Sequence, residues 1–231
     1  MPQEFRIASG GLIDRGKEIS FIFNGNKYTG YKGDTLASAL LANGIHLIGR
    51  SFKYHRPRGI FAAGVEDANG KVQLYKDNIT EPNVNVTEIE LVEGLKIESQ
   101  NCWPSVKFDV GGINNFFSRF FPAGFYYKTF MWPKSFWYHV YEPFIRKAAG
   151  MGKAPLDPDP DRYEHRYEHC DILVVGSGPS GISSALAAAK NGARVILAED
   201  KARFGGSLLT SEVSIGNQSG KNWADGIIAE L

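Results

Sequence analysis

The chain has 231 residues, 43% hydrophobic and 22% charged, a globular composition that excludes disorder of the chain as a whole. Its 26 Lys+Arg against 25 Asp+Glu leave a formal charge of +1, which removes any global electrostatic footprint for nucleic acid or an anionic membrane. The only cysteines, Cys102 and Cys170, exclude a disulfide-dense scaffold, a four-cysteine zinc site and a self-contained four-cysteine iron–sulfur cluster, and they fit a reducing compartment.

The opening MPQEFRIASG carries charges where a signal peptide needs an apolar run, and no later stretch approaches the roughly 18 to 20 apolar residues of a membrane span. A cytoplasmic protein is expected. Residues 19–23 read as a strand, Asn24-Gly25 is a two-residue hairpin signal, and residues 27–31 supply the returning strand. Asp34 or Thr35 can cap a helix with Leu36, Ala37, Leu40 and Leu41 at helical spacing, and Asn43-Gly44 stops it. Strand, strand, helix is the opening of a β-grasp domain. RSFKYHRPRG follows, a loop with four cations (Arg50, Lys53, Arg56, Arg58), readable as a solvated basic turn or as an anion contact. Further strands are expected around residues 59–63, 72–75 and 84–92. A small α+β domain thus spans residues 1–100.

Residues 101–165 form a connecting segment. Of the chain's 29 aromatics, 14 lie in residues 116–144, where Pro122 and Pro133 interrupt any continuous helix. Aromatic side chains carry large buried areas and are enriched at interface cores, so the segment packs internally or presents a subunit interface. GMGKAPLDPDPD, residues 150–161, has linker character and leads into the tandem repeat RYEHRYEH. His165 and His169 are four apart, as on one face of a helix, but Arg166 stands where a zincin needs Glu, and no metal site is assigned.

The chemistry lies in residues 166–231. CDILVV is a short apolar run of the kind a fully buried parallel strand shows, and it ends at Gly176, Ser177, Gly178, Pro179, Ser180 and Gly181. Gly176 permits the tight strand-to-helix turn, Gly178 removes the side chain that would block a pyrophosphate, and Gly181 lets helix and strand approach. The helix that starts near Pro179 points its N-terminal amides and positive dipole end at the diphosphate. A second strand, 194–198, delivers Glu199, 23 residues after Gly176, followed by Asp200. A carboxylate there accepts ribose hydroxyls and repels a 2′-phosphate, which favours NAD or FAD over NADP, with Arg203 nearby tempering the exclusion. Gly205 and Gly206 form a second pair that can pass close to the dinucleotide. These ten residues, excluding Arg203, are the expected cofactor-binding set. No catalytic residue is named.

GDTLASALLANG, GRSFKYHRPRGI, SQNCWPS, AGFYYKTFMWP and the GSGPSG region together resemble the N-terminal part of the α subunits of heterotetrameric sarcosine oxidases. The resemblance implies α+β followed by α/β: a β-grasp, ferredoxin-like domain without cluster cysteines, then an incomplete Rossmann-like FAD/NAD(P)-binding domain. It implies NAD in this subunit, FAD and FMN in the complex, and tetrahydrofolate in a C-terminal domain beyond Leu231. It further implies β, γ and δ partner subunits, a small amine substrate, and oxidation of sarcosine to glycine with hydrogen peroxide and formaldehyde or methylene-tetrahydrofolate. The chain then reads as the N-terminal fragment of a longer subunit, inactive alone. Two alternatives stay open. One is the α-type subunit of another flavin-dependent amine or imino-acid dehydrogenase, of the opine oxidase or hydrogen cyanide synthase kind. The other is an assembly subunit with an empty nucleotide fold.

Overall fold

The computed structural model describes residues 3–76, 79–124, 130–201 and 203–231, with the backbone alone at 147–149. The chain divides into two compact units, one of residues 1–9 and 13–160, the other of residues 10–12 and 161–231.

The first unit is built on a five-stranded sheet of order β2-β1-β7-β5-β6. Strands β1 (Asp14–Phe23) and β2 (Asn26–Lys32) form an antiparallel hairpin in which Phe23 pairs with Asn26. The two residues between them, Asn24 and Gly25, both have positive φ (50° and 77°), as a turn matched to strand twist requires. Helix α1 (Leu36–Ala42) starts at Thr35, whose hydroxyl accepts from the Ser38 amide. Asp34 does different work: buried, it accepts from both terminal nitrogens of Arg6 (3.1 and 2.7 Å), from the Tyr31 amide and from the Ser38 hydroxyl. The helix closes on the sheet at Gly30, where a Cβ would come within 2.5 Å of Leu91 and 3.0 Å of Ala39. Phe21, Phe23, Leu36, Leu40, Ile48, Val72, Val86 and Ile97 fill the core between them.

Strands β3 (Gly49–Arg50) and β4 (Pro57–Arg58) pair with each other, β5 (Lys71–Lys76) and β6 (Ile79–Asn85) form a second hairpin, and β7 (Lys96–Ser99) runs parallel to β1 and antiparallel to β5. Two expected strands are thereby corrected. Residues 59–63 are irregular, the short strand lying earlier at Pro57–Arg58. The expected strand at 84–92 ends at Asn85, and the chain turns at 86–88 because Val86, Ile89 and Leu91 all enter the core, which a two-residue period cannot achieve.

After β7 the chain makes 3₁₀ turns at Val110–Asn115 and Ser118–Phe120, then a π-turn at Trp137–Tyr141 that continues into helix α2 (Glu142–Ala149). None of these four elements buries a hydrophobic residue among those described. Exposed aromatics on this stretch include Trp103 (71%), Phe116 (88%), Phe120 (72%), Trp132 (84%) and Phe144 (73%). Phe125, Tyr126 and Tyr127 lie outside the described residues.

In the second unit β8 (Ile172–Val175) pairs in parallel with β9 (Val195–Ala198), and helix α3 (Pro179–Lys190) crosses between them. A small hairpin of β10 (Ser214–Ile215) and β11 (Gln218–Ser219) leads to helix α4 (Gly220–Glu230), capped by Ser219. Ile182, Leu208, Ala224 and Ile227 make the core, flanked by Leu186 and Leu197. The expectation of a fully buried strand at CDILVV is corrected here, since Leu173 is 58% and Val175 80% exposed. The apolar run marks a strand suited to burial on both faces, but among the described residues of this unit β9 is its only strand neighbour in the sheet. The RYEHRYEH repeat takes no regular structure, so His165 and His169 do not share a helix face.

Candidate dinucleotide site

The turn after β8 is set by three glycines with different reasons. Gly176 has φ +93°, a conformation that L side chains rarely adopt, and its amide donates to the Ala198 carbonyl (2.8 Å), tying the turn to the end of β9. Gly178 is the N-cap of α3 at φ −64°, ψ 177°, and a Cβ built on it meets nothing within 4 Å. A Cβ on Gly181 would overlap the Gly176 carbonyl oxygen, so the first helical turn sits on the strand end only because that position is bare. Pro179 occupies the first turn of α3, whose N-cap supplies no side-chain hydrogen bond. The helix therefore opens with backbone amides and its positive dipole end beside the open space at Gly178.

Glu199, at the end of β9, sits at the mouth of this turn. Its Oε2 accepts from the Ser177 amide (2.8 Å) and from the Ser177 hydroxyl, while Oε1 accepts from the amides of Asp200 (3.0 Å) and Lys201 (3.2 Å). The Ser177 hydroxyl and then its amide hold the Glu199 carboxyl down at about 2, against a smaller opposing effect of burial. It carries its negative charge near neutral pH. Asp200 is exposed and pairs with Lys201 at 3.5 Å, and Ser180 is exposed in the first turn of α3.

Gly205 and Gly206 close the site from the third side. The Gly205 amide donates to the Ser177 carbonyl (3.0 Å) and hydroxyl (3.1 Å), and a Cβ on Gly206 would lie 2.8 Å from the Cα of Gly178. The structure thus gathers the residues singled out from sequence: the 176–181 turn, Glu199 bonded into it, Asp200 beside that carboxylate, and the 205–206 pair packed against it. Ser177, counted from sequence in the cofactor-binding set, is fully buried, and its side chain is bonded to both flanking segments, to Glu199 and to the Gly205 amide.

A second constellation, in the first unit, was not foreseen. The basic loop is bound to the chain that follows the sheet. Arg50 donates to the Val106 carbonyl through Nε (2.9 Å) and Nη2 (2.8 Å), Tyr54 donates to the Phe121 carbonyl (2.6 Å), and Arg56 donates to Asn115 Oδ1 (2.9 Å). His55 Nδ1 lies 2.7 Å from Asp109 Oδ2, with both side chains nearly buried. Arg58 donates to Asn69 Oδ1 (2.8 Å). These contacts give the loop internal partners, beyond either a solvated turn or an anion contact.

Residues 16–102 match the family described as 2Fe-2S iron–sulfur cluster binding domain, and residues 171–231 match the family described as FAD dependent oxidoreductase. The cluster does not fit the residues present: a [2Fe–2S] site of this type needs four cysteine ligands, the chain has two, and they fall in separate units. Among the described residues no group of three or more His, Cys, Asp or Glu could hold a metal ion. The chain is 51% identical to sarcosine oxidase subunit alpha of Rhizobium meliloti (strain 1021), over 98% of this chain and 23% of that one. It is 30% identical to sarcosine oxidase subunit alpha of Corynebacterium sp. (strain P-1), over 95% of this chain and 18% of that one. The crystal structure of L-proline dehydrogenase from P. horikoshii superposes with a TM-score of 0.50 at 20% identity, covering 94% of this chain and 32% of that chain, which supports the fold. The chain therefore spans about a quarter or less of the length of these curated relatives. Along almost its entire length it is similar in sequence to these sarcosine oxidase alpha subunits, with a region matching the 2Fe-2S domain family followed by a region matching FAD dependent oxidoreductases.

Proposed function

We propose that the second unit binds the ADP half of a dinucleotide, NAD, and that the chain serves as the N-terminal part of the alpha subunit of a flavin-dependent amine-oxidising complex. The observation that carries the binding reading is the open space at Gly178, faced by the start of α3 and flanked by an anionic Glu199. Backbone amides of Gly178, Ser180 and Gly181, at the start of α3, would hold the diphosphate, and Glu199 would accept the ribose hydroxyls while repelling a 2′-phosphate. The residues fit such a group. A nicotinamide or flavin dinucleotide supplies hydride chemistry when bound, and this chain's own residues bind and orient it. None of them is assigned a catalytic role.

The substrate proposed for the whole complex is sarcosine, the N-methyl amine named by the relatives, with glycine, hydrogen peroxide and formaldehyde or methylene-tetrahydrofolate as products. FAD, FMN and tetrahydrofolate belong to other parts of that complex, as do β, γ and δ subunits. The exposed aromatics among the described residues of 116–144 are the surface proposed to meet them, because aromatic side chains are enriched at interface cores. A cytoplasmic location accords with the absence of any helix, among the described residues, long and apolar enough to cross a membrane. A second reading of the nucleotide site, FAD in place of NAD, draws on the match of residues 171–231 to FAD dependent oxidoreductases. Both dinucleotides share the ADP half, so the turn serves either.

Cofactor extraction from the complex, purified with the full-length subunit, separates these. NAD released from the alpha subunit supports the first reading, FAD held by that subunit the second, and a nucleotide-free alpha subunit overturns both.

A further inference from the structure

Glu199 does not reach its place by backbone geometry alone. Ser177 is fully buried between two segments, and its hydroxyl donates to Glu199 Oε2 while accepting from the Gly205 amide (3.1 Å). Its amide donates to the same Glu199 oxygen (2.8 Å), and its carbonyl accepts the Gly205 amide as well (3.0 Å). One residue in the glycine-rich turn therefore fixes both the carboxylate at the end of β9 and the glycine pair that follows it. Glu199 itself is only partly buried, with Ser177 behind it.

We infer that Ser177 is a positioning residue for nucleotide selectivity: its hydroxyl locks the orientation of the Glu199 carboxylate, and through it the preference for an unphosphorylated adenosine ribose. This rests on the dinucleotide reading above. Ser177 touches no ligand in this account. A carboxylate with two of its hydrogen bonds supplied by Ser177 has a single orientation, so it presents a fixed negative charge where a 2′-phosphate would lie. Without the hydroxyl, the carboxylate keeps three amide donors but gains freedom to swing toward Arg203 or solvent. The Gly205 amide meanwhile loses one of its two acceptors. Charge repulsion against a 2′-phosphate then weakens along with the grip on the ribose diol.

The test is calorimetry on the full-length polypeptide with NAD⁺, NADP⁺ and ADP-ribose, comparing the natural chain with Ser177→Ala, Glu199→Gln and the double variant, alongside thermal unfolding of each. Ser177→Ala should weaken NAD⁺ binding about tenfold, because the freed carboxylate must be ordered again before it meets the ribose, while weakening NADP⁺ less. The NAD⁺/NADP⁺ ratio should therefore narrow. The double variant should lose little beyond Glu199→Gln alone, because Ser177 acts through that carboxylate. Equal loss for both nucleotides with a lowered melting temperature, or losses that add, overturns the positioning role and leaves Ser177 a packing residue. Unchanged affinity and ratio overturn it too. If the natural chain binds none of the three probes, the dinucleotide reading fails, and this inference with it.

Discussion

Replacing Gly178 by valine separates binding from folding at this site. The residue has φ −64° and ψ 177°, a region that β-branched residues favour, and a Cβ there meets nothing within 4 Å. The expected folding cost is small. Valine is a poorer N-cap than glycine, at about 1 kcal/mol, and the lost chain freedom of glycine in the unfolded state returns about 0.4–1 kcal/mol. The net change in stability is expected within about 1 kcal/mol. Binding should respond differently, because the isopropyl group fills the space where a diphosphate would meet the amides at the start of α3. Losing two charge-assisted hydrogen bonds at about 1.5–3 kcal/mol each amounts to roughly 3–6 kcal/mol, or a weakening of about 10²- to 10⁴-fold. Titration of NAD⁺ into the full-length variant, beside its thermal melt, measures both quantities. Binding retained within threefold, with the melt unchanged, would show that the open side of this turn is not the phosphate site.

Gly181→Ala should do the reverse: its Cβ would overlap the Gly176 carbonyl, so the second unit should lose about 1–3 kcal/mol or more, read as a lowered melting temperature even without nucleotide. Trp132→Ala and Phe116→Ala, at positions 84% and 88% exposed, should leave the melt of the isolated subunit within about 0.5 kcal/mol while reducing co-purification of partner subunits; a destabilised subunit that still assembles would assign these rings to internal packing. Asp67 supplies a pH dependence. Its carboxylate accepts from the amides of Phe61, Ala62, Asn69 and Gly70, which outweigh the opposing effect of burial and hold it down at about 2. A depressed carboxylate contributes stability in full above its ordinary value near 4 and loses it as pH falls from about 4 toward 2. Acid titration of unfolding should show a loss of roughly 2 kcal/mol over that window, absent in Asp67→Asn.

The hairpin, helix α1 and the 176–181 turn were legible because each rests on a local rule: two positive-φ residues between strands, a hydroxyl cap before a helical apolar pattern, three glycines at fixed offsets. Strand β7 was not. Its sequence KIES has one apolar residue, Ile97, and it is a strand because β1 and β5 pair with it on both sides. Its identity is a tertiary fact with no local signature. The run 84–92 failed for the opposite reason, since it is apolar enough for a strand but spends Val86, Ile89 and Leu91 on wrapping the core. At the candidate nucleotide site the spacing named the residues but not the wiring, because the bonds of Ser177 reach 22 and 28 positions along the chain.

The same limit explains the basic loop. Four cations in nine residues read as a solvated turn or an anion contact when only their charge is visible, yet Arg50 and Arg56 are turned on oxygens of the segment at 106–115, Arg58 on Asn69, and Tyr54 lies under Lys53 and Arg56 at 5.0 and 4.7 Å. The loop lies within the region matched to an iron–sulfur family, in a chain whose cysteines cannot supply a cluster. Where a metal cluster would otherwise organise such a loop, the order here comes from guanidinium and phenol donors reaching backbone carbonyls, with His55 and Asp109 joined at its centre. Those bonds fasten the loop to the 103–122 stretch. If the exposed aromatics of this stretch meet a partner, as proposed above, anchoring by the loop lowers the ordering cost of that contact.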